Sequence, residues 1–145
     1  MQPILSPLEV REFISDKEEN NRLLDGIEFS DTQIDIAMDV AVSKFDMLIP
    51  LSNNSKYTFP NKSILMYGTL TSLYEGAAAL LARNTMSYSD GGLQIPVEER
   101  MQLYTALAQM YGSAFTQMST SYKLQTNIES GWGGVSSDYS TLPIW

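Results

Sequence analysis

Three aspartates, Asp31, Asp35 and Asp39, recur at every fourth residue, so a helix through them lines their carboxylates along one face. Carboxylates in such a row can face solvent, meet a basic partner, repel DNA in a channel, or hold a divalent cation. The last use is weakly supported, because a cation cage draws oxygens from several directions and one helix offers only one. The remaining chemistry is sparse. The chain has no histidine and no cysteine, so it lacks the commonest general base, the thiol nucleophile and the usual zinc ligands. Its serines have no histidine to deprotonate them, and its lysines fall in no pattern that suggests a Ser–Lys pair. "SDGG" lacks the Lys–Ser/Thr that completes a phosphate loop, and "DGGLQIPVEE" has the wrong spacing for an EF-hand. No catalytic residue, metal site or cofactor is expected.

Charge points the same way. The net charge is -8, and the nine Lys and Arg residues are scattered singly, so no basic face for nucleic acid forms. Most of the acidity lies between Glu9 and Asp46, which carries a net -7. The start, "MQPILSPLEVREF", has no basic region leading into an apolar run, and the longest apolar stretch, "GAAALLA", is too short for a bilayer span. A soluble chain with no membrane partner is expected.

The elements that must position these residues read as helices. "SPLE" places Ser6 as an N-cap, Pro7 at the first helical position and Glu9 in a capping box. A short second helix is expected from Asp16 to Leu24. In "FSDTQI", Ser30 caps, Gln33 completes the box and Phe29 can staple onto Ile34, starting a helix that ends near Met47. "LSNNSKYTFP" is a loop. A fourth helix spans about Asn61 to Asn84, "SYSDGGLQIP" breaks the chain, and a last helix runs from Pro96 to about Asn127. The expected fold is all-α: a bundle of four to five helices over residues 1–127, with an extended C-terminal arm over 128–145.

Two of these helices lack the charges a surface helix carries. From Met101 to Tyr122 there is no Asp, Glu, Lys or Arg, and between Lys62 and Arg83 only Glu75 is charged. The last helix has an apolar seam with alternating steps of four and three, including Met101, Tyr104, Tyr111, Phe115, Met118 and Tyr122. A second stripe, Leu103, Leu107, Met110 and Ala114, runs beside it. One face must fill the bundle's own core. The missing charges elsewhere suggest sister subunits, since fixed interfaces favour Tyr, Met and Phe over Lys, Glu and Asp. A homo-oligomer is expected, with the seam as its subunit-packing helix. The tail "GWGGVSSDYSTLPIW" carries both tryptophans among small polar residues. Ile128, Trp132, Val135, Tyr139, Leu142, Ile144 and Trp145 then read as anchors of an arm that docks on a partner.

"RNTMSYSDGGLQIPVEERMQLYTALAQMYGSAF", followed by "YKLQTNIESGWGGVSSDY", resembles segments of tailed-bacteriophage neck proteins, the helical head–tail connectors or adaptors that bind beneath the portal. The resemblance covers roughly Arg83 to Tyr139. It implies a virion protein made in the host cytoplasm and arranged as a ring, commonly of twelve copies. Such a ring extends the DNA channel without sequence-specific binding, and its partners are the portal protein and the tail or other neck proteins. The arm would reach the portal or a neighbouring subunit, and Asp31, Asp35 and Asp39 would line the lumen. Another tail-completion or baseplate subunit is the nearest alternative, and a small carboxylate-dependent enzyme a more distant one.

Overall fold

The computed structural model describes residues 1–21, 26–85 and 97–132. Among these the chain is all-helical: α1 (Pro7–Ile14), α2 (Asp31–Met47), α3 (Lys62–Thr85) and α4 (Val97–Trp132). Both expected capping boxes form. Ser6 accepts from the backbone N–H of Glu9, Ser30 from that of Gln33, and the Glu9 and Gln33 side chains reach back to the cap N–H groups. Asn61 starts α3 by accepting from the N–H groups of Ser63 at 2.9 Å and Ile64 at 3.1 Å.

The short helix expected from Asp16 does not form over residues 16–21, which are turn and irregular backbone. Ser15 closes α1 in the left-handed conformation at φ 55°, turning the chain aside. Asp16 is then buried, and its carboxylate accepts from the N–H groups of Glu28 at 2.7 Å and Phe29 at 3.0 Å. A side chain that satisfies distant backbone donors anchors a loop instead of beginning a helix. Residues 22–25 lie outside the described residues.

α3 is the central rod, packed against α2 on one side and α4 on the other. Ile64, Leu65, Leu70 and Leu73 of α3 share the core with Ile34, Met38, Ala41 and Phe45 of α2 and with Ala108 and Phe115 of α4. Gly68 marks where the three helices converge. A Cβ there would lie 2.7 Å from Phe115 and 2.8 Å from Ala41, so only glycine lets these helices approach so closely. By length and hydropathy Lys62–Asn84 reaches what a membrane span needs, more than the longest uninterrupted apolar run suggested. Its first half is largely buried between α2 and α4, whereas from Glu75 onward most of its residues are exposed.

Tyr74 packs near Tyr104, Thr71 near Gly112 and Gly68 near Phe115, so α3 and α4 run antiparallel. At 1.5 Å per residue α4 is about 54 Å long and α3 about 36 Å. The surplus projects at the C-terminal end of α4, where residues 124–131 are all exposed. The helix passes the expected stop at Asn127 and carries Ile128 and Gly131 on its final turns, ending at Trp132.

Candidate functional site

The apolar seam of α4 turns inward. Phe115 is buried, and Tyr104, Tyr111, Met118 and Tyr122 pack against the same core, with Met101 half-buried above them. Their partners belong to the same chain. Tyr74 of α3 stacks on Tyr104 and Tyr111, each at 5.8 Å between ring centroids, and Tyr67 meets Tyr111 at 5.8 Å. Phe29 sets its edge against Tyr74, and Phe45 approaches Tyr122 at 6.1 Å. These residues, expected to form the subunit-packing helix, close the chain's own hairpin. Steps of four and three serve either kind of packing, and α3 offered a matching aromatic row close at hand.

Burial raises the hydroxyl pKa of Tyr74, and the neighbouring Tyr111 and Glu28 add to the effect. Burial also raises that of Tyr104, whose hydroxyl donates to Glu28 while Arg100 opposes the shift. These tyrosines stay protonated at neutral pH and serve as packing groups.

The face of α4 left to solvent is the second stripe. Leu103 and Met110 are more than half exposed, with Leu107 and Ala114 half-buried between them. The same steps of four and three continue through Gln117 and Ser121 to Leu124 and Ile128, both about half exposed. No charged side chain stands on this helix between Arg100 and Lys123. Lys123 itself is buried, its ammonium turned onto the carbonyl oxygens of Leu48 at 2.6 Å and Pro50 at 2.9 Å. The line is uncharged and carries two exposed apolar pairs, Leu103 with Met110 and Leu124 with Ile128, separated by Gln117 and Ser121.

The three aspartates do share one face of α2, but cations sit on it. Arg11 pairs with Asp31, and Lys56 lies 3.1 Å from Asp35 and 3.7 Å from Asp39. Burial works against the Lys56 charge, yet the two carboxylates outweigh it and raise its pKa. The bare acidic face expected from sequence is thus partly neutralised by residues remote in the chain. Among the described residues, no three potential metal ligands come together.

Two open grooves flank α3. One, of about 1090 Å³, runs between the end of α2 and α4 and is bordered by Thr71, Thr105, Gly112 and Thr116; its charged residues are Lys44 and Glu75, which pair at 2.9 Å. Neither its hydroxyls nor this ion pair sets a nucleophile against a free base. The other lies between α2 and the second half of α3 and is largely aliphatic.

Of the expected arm, Ile128 is on the exposed last turns of α4 and Trp132 ends that helix. Val135, Tyr139, Leu142, Ile144 and Trp145 lie outside the described residues. Sequence reasoning missed two features: the apolar turn after α2 and the buried ammonium of Lys123. "MLIPL" was the only available signal for the first. No known protein family, curated protein or solved structure matches the chain.

Proposed function

We propose that this chain is a structural assembly subunit, specifically a head–tail connector of a tailed-phage neck that packs side by side into a ring beneath the portal. The observation that carries the assembly part is the exposed, charge-free stripe of α4 from Leu103 to Ile128. Each of its half-exposed aliphatic groups forfeits about 1 kcal/mol that complete burial would return. A sister molecule brings the same uncharged surface, so association removes the stripe from solvent without burying an unpaired charge. The projecting end of α4 places Leu124 and Ile128 beyond the hairpin, where another chain can reach them.

The neck assignment rests on the resemblance of residues 83–139, and a helical body with a helix that overshoots it is compatible with that assignment. The lumen role of Asp31, Asp35 and Asp39 is narrowed. With Arg11 and Lys56 beside them, they form a mildly acidic, mixed surface over which DNA would slide with little attraction.

Electron microscopy of the purified full-length protein, alone and mixed with portal rings, tests this reading. Closed annular particles, or a layer added below the portal, are expected. Single copies in both samples contradict it.

A further inference from the structure

One apolar feature belongs to neither the core nor the α4 stripe. Met47, Ile49 and Leu51, at the turn after α2, are 77 %, 89 % and 78 % exposed. Turns normally carry small or polar residues, so three aliphatic side chains this exposed in one turn call for a cover. The turn is firmly held beneath them. Lys123 donates to the carbonyl oxygens of Leu48 and Pro50 and to Ser52 Oγ, and Asp46 accepts from Ser52 Oγ at 2.6 Å and from the N–H of Asn54 at 2.8 Å. A seat already fixed in shape adds little ordering cost of its own when it is filled.

The same lysine ties this turn to the projecting end of α4. Trp132 closes that helix about 14 Å beyond Lys123 along its axis. The chain continues as "GGVSSDYSTLPIW", residues 133–145, which cover at most about 45 Å when extended. Gly133 and Gly134 allow a reversal on leaving the helix. About five extended residues then return the chain to the level of the turn, which brings Tyr139, Leu142, Ile144 and Trp145 within reach of it.

Other exposed apolar groups fit this segment less well. Leu103 lies about 43 Å from Trp132 along α4, the whole extended length of the segment, and Leu80 is at the same far end of the antiparallel hairpin. Leu124 and Ile128 are nearer, but they stand about 100° and 140° round the helix from Lys123, off the side that meets the turn. Charge sets no obstacle. Asp138 is the only charged side chain in residues 133–145. At the turn, Lys44 pairs with Glu75 at 2.9 Å, Asp46 is met by Ser52 and Asn54, and Lys123 by the carbonyl oxygens.

We infer that residues 133–145 fold back onto the Met47–Leu51 turn of their own chain, with Trp145 among the side chains seated there. A tethered segment meets a site on its own chain at an effective concentration on the order of millimolar, above what separate copies offer in dilute solution. The inference gives the arm a seat in its own chain in place of the partner expected from sequence. It goes beyond the assembly reading and does not depend on it, because the turn and the α4 stripe are different surfaces.

Trp132 and Trp145 are the only tryptophans, so Trp132→Phe in the full-length chain leaves Trp145 as the sole reporter. Its emission is expected to be blue-shifted from that of a solvated indole and to stay so on dilution. Adding Leu51→Lys should move it to the red, and adding Ile128→Lys should not, with circular dichroism confirming the helices of each variant. The wild-type chain has no cysteine, so disulfide trapping has no background. Oxidised Leu51→Cys/Leu142→Cys is expected to run as a single chain with an internal disulfide, and the mixed single variants to give no covalent dimer. Emission of a solvated indole, a blue shift lost on dilution, or emission that Leu51→Lys leaves unchanged overturns the proposal. So does a red shift from Ile128→Lys, or a disulfide that forms only between copies and so puts the segment on a neighbour. Sedimentation reads assembly separately, so either reading can fail without the other.

Discussion

The ammonium of Lys123 donates to the carbonyl oxygen of Leu48 at 2.6 Å, fastening α4 to a turn 75 residues earlier in the chain. It also lies 4.6 Å from the centre of the Phe45 ring, so one cation serves the turn, the end of α2 and the core. Hydrogen bonds from a charged donor contribute about 1.5–3 kcal/mol. Lys123→Met is expected to lower the unfolding free energy by about 2 kcal/mol, read as a lower urea midpoint with an unchanged slope. An unchanged midpoint would mean the turn is held without it.

Two glycines of α3 should respond with opposite signs. A Cβ at Gly68 meets Phe115 and Ala41 at under 3 Å, whereas one at Gly76 meets nothing within 4 Å. Gly68→Ala is expected to destabilise by about 1–3 kcal/mol through overpacking. Gly76→Ala should stabilise by about 1 kcal/mol through helix propensity. Thermal unfolding of the two variants side by side checks the pair.

Asp16 is buried and accepts from the backbone of Glu28 and Phe29 and from Asn21 Nδ2 at 2.6 Å. Asp16→Ala strands two backbone donors and should cost about 2–6 kcal/mol, two unmet donors at about 1–3 kcal/mol each setting the scale. Chemical denaturation measures the loss. A loss below about 0.5 kcal/mol, the size of an ordinary surface change, would contradict the anchoring role.

Alkaline pH should loosen the bundle. The hydroxyls of Tyr74, Tyr104 and Tyr111 all have raised pKa values, burial being the first cause in each. An unfolded tyrosine loses its proton at about 10. Above that pH the unfolded chain holds fewer protons than the folded one, so stability is full below about 10 and falls as pH rises further. Urea midpoints at pH 8 and 11 should differ less for Tyr74→Phe than for wild type. Equal differences would remove Tyr74 from the account.

The local parts of this fold were legible in the sequence, and the remote parts were not. Ser6 with Glu9 and Ser30 with Gln33 act within three residues, so their pattern shows directly. Asp16 looked like a helix start because its true partners, Glu28 and Phe29, lie beyond any local window. Gly131 read as a stop, yet a glycine at an exposed helix end costs only about 1 kcal/mol and α4 runs past it. The 4–3 seam of α4 was visible as apolar, but its spacing fits a partner in the same chain as well as one in another. Its neutral surroundings were equally visible, and they remain the exposed half of the argument at Leu103, Met110, Leu124 and Ile128. Lys123 gave no sign of burial, since its acceptors are carbonyl oxygens that sequence does not distinguish. The ion pairs of Lys56 with Asp35 and Asp39 were hidden because their partners are remote in the chain.

The claim beneath all of this is that the uncharged outer stripe of α4 is covered by other copies of the chain. Sedimentation velocity of wild type and of Leu103→Lys/Met110→Lys, at matched concentrations, tests it most directly. Both positions are exposed, so the variant should keep the helical circular dichroism of wild type. Wild type is predicted to sediment as a multi-copy species and the variant as a single folded chain. Identical sedimentation of the two would contradict the account.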